Sequence, residues 1–460
     1  MAQPPRVVII GAGPAGVRCA ETLVAAGLRP TVVDENRRDG GQIYRRQPDN
    51  FTRPYTKLYG TEAGRAQALH ACFDALRAHV DYHPNTLAWN IADQQVHVAC
   101  GEQASALPFD ALVICAGATD RLMPVKGWQL AGTYSLGAAQ IALKAQACAL
   151  GRRVVFMGTG PLLYLVASQY LKAGANVAAV LDTSPLAGRF AALPKLLARP
   201  SVLLNGVALV AGIKRAGVQV LTGITPVEIT GNPATGVQGV AVTDASGATH
   251  TFACDAVAMG YHLRPETQLA DLARCAFHFD PETRQWLPEV REDGRTTVPG
   301  VYLAGDGMRV LGADAAEIAG RLAAMAVLKD FGLTVANDQL QQLRAQQATM
   351  ERFRQGLATA FPWPAQQAAR LPDEAIVCRC EAITAGELRR VVCDIGAQEA
   401  NRAKAFSRVG MGRCQGRYCG HAGAEVIASA AGVPVEQVGR LRGQAPVKPL
   451  PVAVREEKAA

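Results

Sequence analysis

The sequence predicts an α/β protein with two dinucleotide-binding-type units and a small, α-rich C-terminal cysteine domain. Three observations carry this prediction. A strand, a glycine turn, a helix and a second strand follow one another over residues 6–34. The same succession recurs over residues 153–182. Near the C-terminus, four cysteines stand in two close pairs: Cys378, Cys380, Cys414 and Cys419.

Length and composition are consistent with this class and exclude others. The 460 residues are 49% apolar and include 45 glycines, which suits several α/β domains with tight turns and buried sheets. The net charge is only +8 and no long Lys/Arg run occurs, so nucleic-acid binding has no support. We find no secretory signal and no convincing membrane span, and therefore expect a soluble, cytoplasmic chain.

The first glycine turn matches the fingerprint of an adenine-dinucleotide site. Gly11 permits a tight turn, Gly13 lets the backbone approach a pyrophosphate, and Gly16 lets helix and strand pack closely. The helix that begins here points its amides and positive end at the phosphates. An acidic end of the following strand accepts hydrogen bonds from the adenosine ribose. A glycine turn that binds no ligand is the disfavoured alternative, because the preceding strand, the following helix and the acidic strand end all match a dinucleotide-binding unit. The predicted contacts are Gly11, Gly13, Pro14, Ala15, Gly16, Asp34 and Glu35.

The second glycine turn is imperfect. It reads Gly158-Thr-Gly160-Pro-Leu-Leu163, so a leucine replaces the third glycine. We expect this leucine to push helix and strand apart and to shift the helix end away from a phosphate. The favoured interpretation is a retained fold that does not bind NAD(P)H, and a working nicotinamide site is the alternative.

The cysteine pattern indicates a metal centre. Cys378-x-Cys380 and Cys414-x₄-Cys419 suit a [2Fe–2S] cluster with one pair per iron, and they also suit tetrahedral zinc. A single intervening residue is too tight for the usual zinc spacing, which favours the cluster. Residues 378–419 hold eight Arg/Lys and four Asp/Glu, and this positive balance should raise the reduction potential of a four-thiolate cluster.

Three further segments resemble the two-dinucleotide flavoproteins of the thioredoxin-reductase-like class. These are Gly40-Gly41-Gln42, the strand and turn of residues 111–118, and the segment of residues 300–306. The chain contains no Cys-x-x-Cys, which excludes a disulfide reductase. The resemblance implies an FAD domain with six additional contacts: Gly41, Gln42, Ala116, Gly117, Gly305 and Asp306.

The whole pattern resembles one family more closely. VCRCE…GMGRCQGRYC, GGQIYR at residues 40–45 and GYHLRPET at residues 260–267 are similar to the large flavoprotein subunit of opine oxidases, hydrogen cyanide synthase and related proline and hydroxyproline dehydrogenases. The resemblance implies an electron-relay α subunit. Its partner would be a smaller FAD-dependent oxidase-type β subunit that carries the substrate, with room for a small third subunit.

The same resemblance implies the cofactors. FAD or another adenine nucleotide would occupy the first site, and FMN would lie at the subunit interface. Electrons would pass from the β flavin through FMN and the [2Fe–2S] cluster to an external acceptor. No motif for a catalytic base, metal-activated water or nucleophilic triad is found, so no catalytic residue is assigned. For Tyr261 and His262 a packed loop is favoured over a cofactor pocket.

We divide the chain into a discontinuous dinucleotide domain (1–120 and 252–332), an inserted second unit (121–251), a helical linker (333–370), the cysteine domain (371–443) and a tail (444–460). Two other functions stay open from the residues alone. One is a self-sufficient NAD(P)H-dependent reductase, and the other is a non-enzymatic docking or iron-sensing module.

Overall fold

The computed structural model describes residues 4–453, 455 and 456. The start of the first predicted domain (residues 1–3) and part of the predicted tail (residues 454 and 457–460) lie outside the residues that the structure describes. The sheet carrying the first glycine turn has five parallel strands. Apolar strands buried on both faces, such as Val7–Ile10, are typical of parallel sheets covered by helices. The strand order is Val301–Leu303, Ala111–Ile114, Val7–Ile10, Thr31–Val33 and Asp81–His83.

Two helices cross closely over the first sheet. Pro14–Ala25 packs on Ala313–Asp330. A Cβ on Gly320 would clash with the carbonyl oxygen of Ala15, so glycine is required where the helices approach. The other helical segments of this unit are Tyr55–Tyr59, Gly60–Glu62, Ala63–Leu76, Gln268–Leu272 and Gly305–Gly307.

The second sheet also has five parallel strands. The order is Gln219–Thr222, Asn176–Asp182, Arg153–Thr159, Ala256–Tyr261 and Thr133–Ser135. The helices of this unit are Leu136–Ala145, Pro161–Lys172, Leu186–Leu196 and Pro200–Arg215. Because Ala256–Tyr261 pairs inside this sheet, the second unit extends past the boundary predicted at residue 251.

Smaller sheets, which the sequence pattern does not reveal, complete both units. Buried and half-buried side chains alternate along parts of their strands, as expected when one face of an antiparallel sheet lies closer to water. One sheet holds Thr86–Ala92, Gln95–Cys100, Gln103–Pro108 and Arg455–Glu456, and a second holds Thr225–Asn232, Gly236–Thr243 and Thr249–Ala253. Two-stranded pairs join Ala118–Asp120 to Leu263–Pro265 and Phe277–Asp280 to Gln285–Pro288.

A long helix, Asn337–Ala360, leads from the last helix of the first unit to the cysteine domain and packs on Leu186–Leu196 of the second unit. It ends before Phe361-Pro-Trp-Pro364, where two prolines cannot continue helical hydrogen bonding. The cysteine domain begins with a hairpin and is otherwise helical, and a capping box of Thr384 and Glu387 fixes the start of its first long helix. Its elements are Ala365–Ala369, Ile376–Cys378, Ile383–Thr384, Ala385–Ile395, Ala400–Ser407, Gly420–Ala431 and Val435–Val438.

The cysteine domain shares a hydrophobic core with the second unit. Buried side chains of both, including Trp128 and Trp363, belong to one continuous cluster. The indole Nε1 of Trp128 donates to the carbonyl oxygen of Ile376 at 2.6 Å. The domain is therefore packed on the chain that precedes it. In the described part of the chain, no helix combines the length and apolarity that a membrane crossing demands.

Candidate functional site

The first glycine turn leaves open space where a pyrophosphate would lie. A Cβ on Gly11 would clash with the carbonyl oxygen of Cys115, and one on Gly16 would clash with that of Gly11. A Cβ on Gly13 would meet only ordinary contact, 3.6 Å from the Cα of Gly41. Gly11 and Gly16 are therefore required by the backbone packing of the fold. Gly13 instead keeps open a space that a side chain would fill. This geometry fits a dinucleotide phosphate at the start of the helix Pro14–Ala25.

The acidic end of the second strand supports the turn itself. Asp34 Oδ2 accepts from the backbone amide of Ala12 at 2.6 Å, and Oδ1 accepts from the amide and the side chain of Asn36. Burial raises the pKa of Asp34. Glu35 forms an ion pair with Lys448. The predicted ribose contact of these carboxylates stays a prediction, since both already have partners within the chain.

The other predicted flavin contacts converge on the same edge of the first sheet. Gly41 lies against Gly13, and a Cβ on Gly305 would come 2.8 Å from the Cβ of Ala15. Asp306 Oδ1 accepts from the amides of Leu311 and Gly312 at 2.9 and 3.0 Å, and burial raises its pKa. The carboxyl ends of parallel strands meet at this edge, where such sheets bind ligands.

Ala116 and Gly117 border the same edge. A Cβ on Gly307 would come 3.3 Å from the amide nitrogen of Ala116 and 3.2 Å from that of Gly117. The side chain of Gln42 accepts from Arg45 at 2.7 Å, so it orders the loop of GGQIYR. The structure thus places the backbones of Gly13, Gly41, Gly305, Ala116 and Gly117 at one edge of the sheet, whereas the side chains of Gln42 and Glu35 bind other residues of the chain.

A lysine of the second unit also reaches this loop. Lys144, near the end of the helix Leu136–Ala145, donates to the carbonyl oxygen of Ile43 at 3.2 Å. It is 5% exposed, and burial lowers its pKa to about 8. A lysine in the last turn of an Ala-rich helix is ordinarily a surface residue, so the sequence carried no signal for this contact.

The second glycine turn is covered by the chain's own side chains. A Cβ on Gly160 would come 3.1 Å from the ring of His262. Nε2 of that ring is hydrogen-bonded to the carbonyl oxygen of Phe361 at 2.5 Å. The guanidinium of Arg189 lies 5.1 Å from the centre of the Phe361 ring. The end of the connecting helix therefore occupies the neighbourhood in which a nucleotide would approach this turn.

The acidic strand end of the second unit is fully engaged. Asp182 is completely buried and accepts from the hydroxyl of Tyr164, the amide of Ser184 and the guanidinium of Arg189, each within 2.7 Å. Leu163 is also completely buried, and it belongs to the core between helix and sheet. The replacement of the third glycine therefore serves packing, as an apolar anchor of the helix Pro161–Lys172.

The four cysteines of the C-terminal domain converge. Cys378 ends a strand, Cys419 precedes the helix Gly420–Ala431, and the remaining two lie in the turns between. The Cys419 thiol donates to the sulfurs of Cys378 and Cys414, and Cys380 contacts Cys414. A Cβ on Gly412 would clash with Cys380, which explains one glycine of the GMG sequence.

The surroundings favour the thiolate at two of the four sulfurs, whereas burial raises the pKa of Cys380 and the hydrogen bonds to its neighbours raise the pKa of Cys419. The hydrogen bond from Cys419 lowers the pKa of Cys378 to about 6 and that of Cys414 to about 5. Backbone amides add to this, those of Gly410 and Glu381 at Cys378 and those of Gly416 and Tyr418 at Cys414. Within the described ranges, no three His, Cys, Asp or Glu side chains surround a single metal position. The donor set fits a [2Fe–2S] cluster, whose iron ligands are thiolates with amides directed at sulfur.

Buried arginines lie next to the cysteine loop. Arg417 Nε donates to Glu266 at 2.6 Å, and Arg264 is 3.4 Å from the same carboxylate. Arg264 Nε has no hydrogen-bond partner within the described residues, although the side chain is buried. Two cations thus share one carboxylate, close to the Cys414 carbonyl that accepts from Arg417. The GYHLRPET segment supplies Arg264 and Glu266.

A second set of contacts fixes the cysteine domain in place. The guanidinium of Arg284 donates two hydrogen bonds to Glu425, which also accepts from Trp363 Nε1 at 3.2 Å. Arg121 lies 3.7 Å above the ring of Trp363, and burial lowers its pKa to about 9. Tyr261 packs edge-on against Trp363 with ring centres 6.2 Å apart, which agrees with the packed loop expected for it.

Comparison with known proteins places these features in a family. Residues 5–321 match the family model of the pyridine nucleotide-disulphide oxidoreductases, and residues 376–429 match the BFD-like [2Fe–2S] binding domain. An opine oxidase subunit of Rhizobium meliloti is 37% identical, over 97% of this chain and 86% of that protein. Hydrogen cyanide synthase subunit HcnB of Pseudomonas protegens is 29% identical, over 96% of each chain.

Solved structures show the same fold. L-proline dehydrogenase from P. horikoshii superposes with a TM-score of 0.72 at 19% identity, covering 98% of this chain and 79% of that one. Thioredoxin reductase from T. acidophilum superposes with a TM-score of 0.50, covering 71% of this chain and 98% of that one. From the two family models and the nearly full-length relatives, we conclude that this chain belongs to the family of these opine oxidase and HcnB subunits, flavoprotein oxidoreductases of the pyridine nucleotide-disulphide oxidoreductase fold with a BFD-like [2Fe–2S] domain.

Proposed function

We propose that this chain is the electron-relay α subunit of a heteromeric flavin-dependent amine or amino-acid dehydrogenase. The observation that carries the proposal is the contrast between its two glycine turns. The first keeps a cradle open at Gly13, whereas His262 and Phe361 cover the second. A chain with a cluster domain and no accessible nicotinamide turn has to receive electrons from elsewhere, and a partner subunit is the source that we infer.

The cofactors are assigned to three places. The pyrophosphate of FAD, or of another adenine nucleotide, would be held at Gly13 by the first free backbone amides of the helix Pro14–Ala25, which follow the proline. Asp306 and the glycine loop would complete this site. Cys378, Cys380, Cys414 and Cys419 hold the [2Fe–2S] cluster, which supplies one-electron transfer when bound. Positive charge from the neighbouring arginines stabilises the reduced centre.

FMN is assigned to the subunit interface beside the cysteine domain. A cavity of about 80 Å³ there is lined by Arg264, His421 and Gly420. The first turn of the helix Gly420–Ala431 lines this cavity, and Arg264 Nε has no hydrogen-bond partner among the described residues. Both features favour a phosphate group. A partner subunit would cover the remainder of such a cofactor.

The substrate class is taken from the relatives. Opine oxidase is named for opines, and one of its subunits is a relative that shares 37% identity with this chain. We therefore propose CH–NH or CH–NH₂ donors of the opine, proline or hydroxyproline type, bound by a smaller FAD-dependent oxidase-type β subunit. We place the complex in the cytoplasm, where it would pass electrons to an external acceptor and could include a small third subunit.

The rival functions have less support. A self-sufficient NAD(P)H reductase would need an open second turn, but Asp182 and Gly160 face internal partners. A docking or iron-sensing module would not need a cluster held beside buried arginines. The docking or iron-sensing function predicts that no partner or substrate ever reduces the bound flavin.

Co-purification with the proposed partner tests the assignment. When the chain is produced with a small FAD-dependent oxidase-type subunit encoded beside it, we expect a stable complex in which an opine or proline bleaches flavin and reduces the cluster anaerobically. The signal of a reduced [2Fe–2S] centre in electron paramagnetic resonance is the readout. The chain alone, given the same amine, is the control and should stay oxidised. A complex whose cluster stays oxidised while the flavin is fully bleached would contradict the relay role.

A further inference from the structure

Two consecutive helices of the second unit present large apolar side chains to solvent. On and just after Leu186–Leu196, four such residues are between 43% and 75% exposed, and Phe190 is the most exposed of them. Two more on Pro200–Arg215 are 60% and 68% exposed. We call this set the apolar stripe: Leu186, Phe190, Leu193, Leu197, Leu204 and Val207.

The spacing of these residues places them on one face of each helix. In the first helix they follow one another at intervals of four, three and four, which places them on one helical face. Leu204 and Val207 are three apart and share a face of the next helix. Pro200–Arg215 has no charge before Lys214, yet it buries only Ile213. Val202, Leu203 and Val210 pack partly against neighbouring core clusters. The folding core does not account for Leu204 and Val207, which stay exposed.

The charges in the segment that carries the stripe have one sign. Residues 183–227 contain no Asp or Glu, but they contain five basic residues. Arg189 and Arg199 are paired with Asp182 and Asp314. The other three, Lys195, Lys214 and Arg215, have no carboxylate partner in the described structure, and Lys214 and Arg215 are exposed.

We propose that the apolar stripe and its cations dock the protein peripherally on an anionic phospholipid surface. Amphipathic helices with Leu and Phe on one face and Lys or Arg around it lie in the membrane interface, where the apolar side chains reach the acyl boundary. Anionic headgroups attract the neighbouring cations. This mode of binding needs no membrane-spanning helix, and none of the six stripe residues belongs to the cofactor sites.

A second copy of the chain fits this surface less well. A two-fold symmetric contact would set each stripe, with its cations, against the same stripe of the partner. No carboxylate of residues 183–227 is available to offset the resulting like charges. The charge pattern thus favours an anionic surface over self-association through the stripe.

Vesicle sedimentation of the cofactor-loaded chain tests the proposal. We expect the protein to pellet with vesicles of equal parts phosphatidylcholine and phosphatidylglycerol, and much less with phosphatidylcholine alone. Phe190→Ser combined with Leu204→Ser should weaken binding by about ten-fold or more, because exposed apolar side chains are the inserted groups. Lys214→Glu with Arg215→Glu should weaken binding similarly, and high salt should reproduce that loss.

Phe331→Ser is the matched control, since Phe331 is a large exposed side chain, 39% exposed, outside the stripe. It should bind vesicles as the parent does, and every variant should keep its flavin and cluster absorbance. Equal vesicle binding by the parent, by the apolar double variant and by the charge-reversal double variant would overturn the proposal. The proposal would also be overturned if the parent did not bind anionic vesicles and instead formed a dimer that the Phe190→Ser, Leu204→Ser variant does not form. The same holds if the parent formed a complex with an acidic partner subunit and this variant did not.

Discussion

Cys414→Ser should remove the [2Fe–2S] cluster while leaving the dinucleotide in place. The Cys414 sulfur contacts Cys419 and Cys380, so its loss removes one of the four ligands and one of the two contacts that join the cysteine pairs. A serine hydroxyl is far more basic than a thiol whose pKa is lowered to about 5, and it does not supply the thiolate that iron requires. Cluster content, measured as visible absorbance and as iron per chain, should fall below about one tenth of the parent value.

Cys393→Ser is the control for this experiment. Cys393 lies in the same domain, on the helix Ala385–Ile395, but it is exposed and isolated from the other cysteines. Its replacement should leave cluster content unchanged. Parent-like iron and absorbance in Cys414→Ser would show that the four-cysteine assignment is wrong.

Gly13→Leu should abolish dinucleotide binding without unfolding the chain. The backbone of Gly13 has φ −79°, which any residue adopts, and its Cβ would meet Gly41 only at an ordinary 3.6 Å. A leucine therefore fits the protein but fills the cradle in which the pyrophosphate would lie. Affinity should fall at least about 100-fold, which corresponds to about 2.8 kcal/mol. Flavin or adenine nucleotide released from the purified, heat-denatured protein is the readout.

Two other glycines separate binding from folding. Gly64 lies in the helix Ala63–Leu76 with open space around its Cβ position, so Gly64→Ala should retain cofactor. Gly16→Ala would drive a methyl group into the carbonyl oxygen of Gly11 and should lower thermal stability as well as binding. If Gly13→Leu carries the normal amount of dinucleotide, the pyrophosphate does not lie at this turn.

The glycine turn and the cysteine motifs depend on residues that are close in sequence, and they could be predicted from the sequence. Gly11, Gly13 and Gly16 follow one another within a single turn, and the four thiols come in two short motifs. Covalent proximity keeps such residues together in any fold. Helices and parallel strands with strong apolar patterns, such as Val7–Ile10 and Ala313–Asp330, could be recognised for the same reason.

The remainder depends on contacts between distant segments. Lys144 reaches Ile43 across 101 positions, and Arg417 reaches Glu266 across 151. No periodicity links such residues, and a single sequence cannot show that they meet. Leu163 illustrates the complementary case, because it departs from the glycine fingerprint but gains a place in the helix–sheet core. The short antiparallel strands near residue 95 escape prediction because their alternation is weak and interrupted by turns.

We propose that electrons enter this chain from a partner and not from a nicotinamide. An anaerobic absorbance titration of the cofactor-loaded chain with NADH and then NADPH tests it most directly. Because His262, Phe361 and the partners of Asp182 cover the second turn, we expect neither nucleotide to bleach the flavin or reduce the cluster at stoichiometric concentration. Dithionite added afterwards should reduce both centres, which shows that they are competent. Rapid stoichiometric reduction by NADH or NADPH would contradict the relay account and identify the protein as a nicotinamide-dependent reductase.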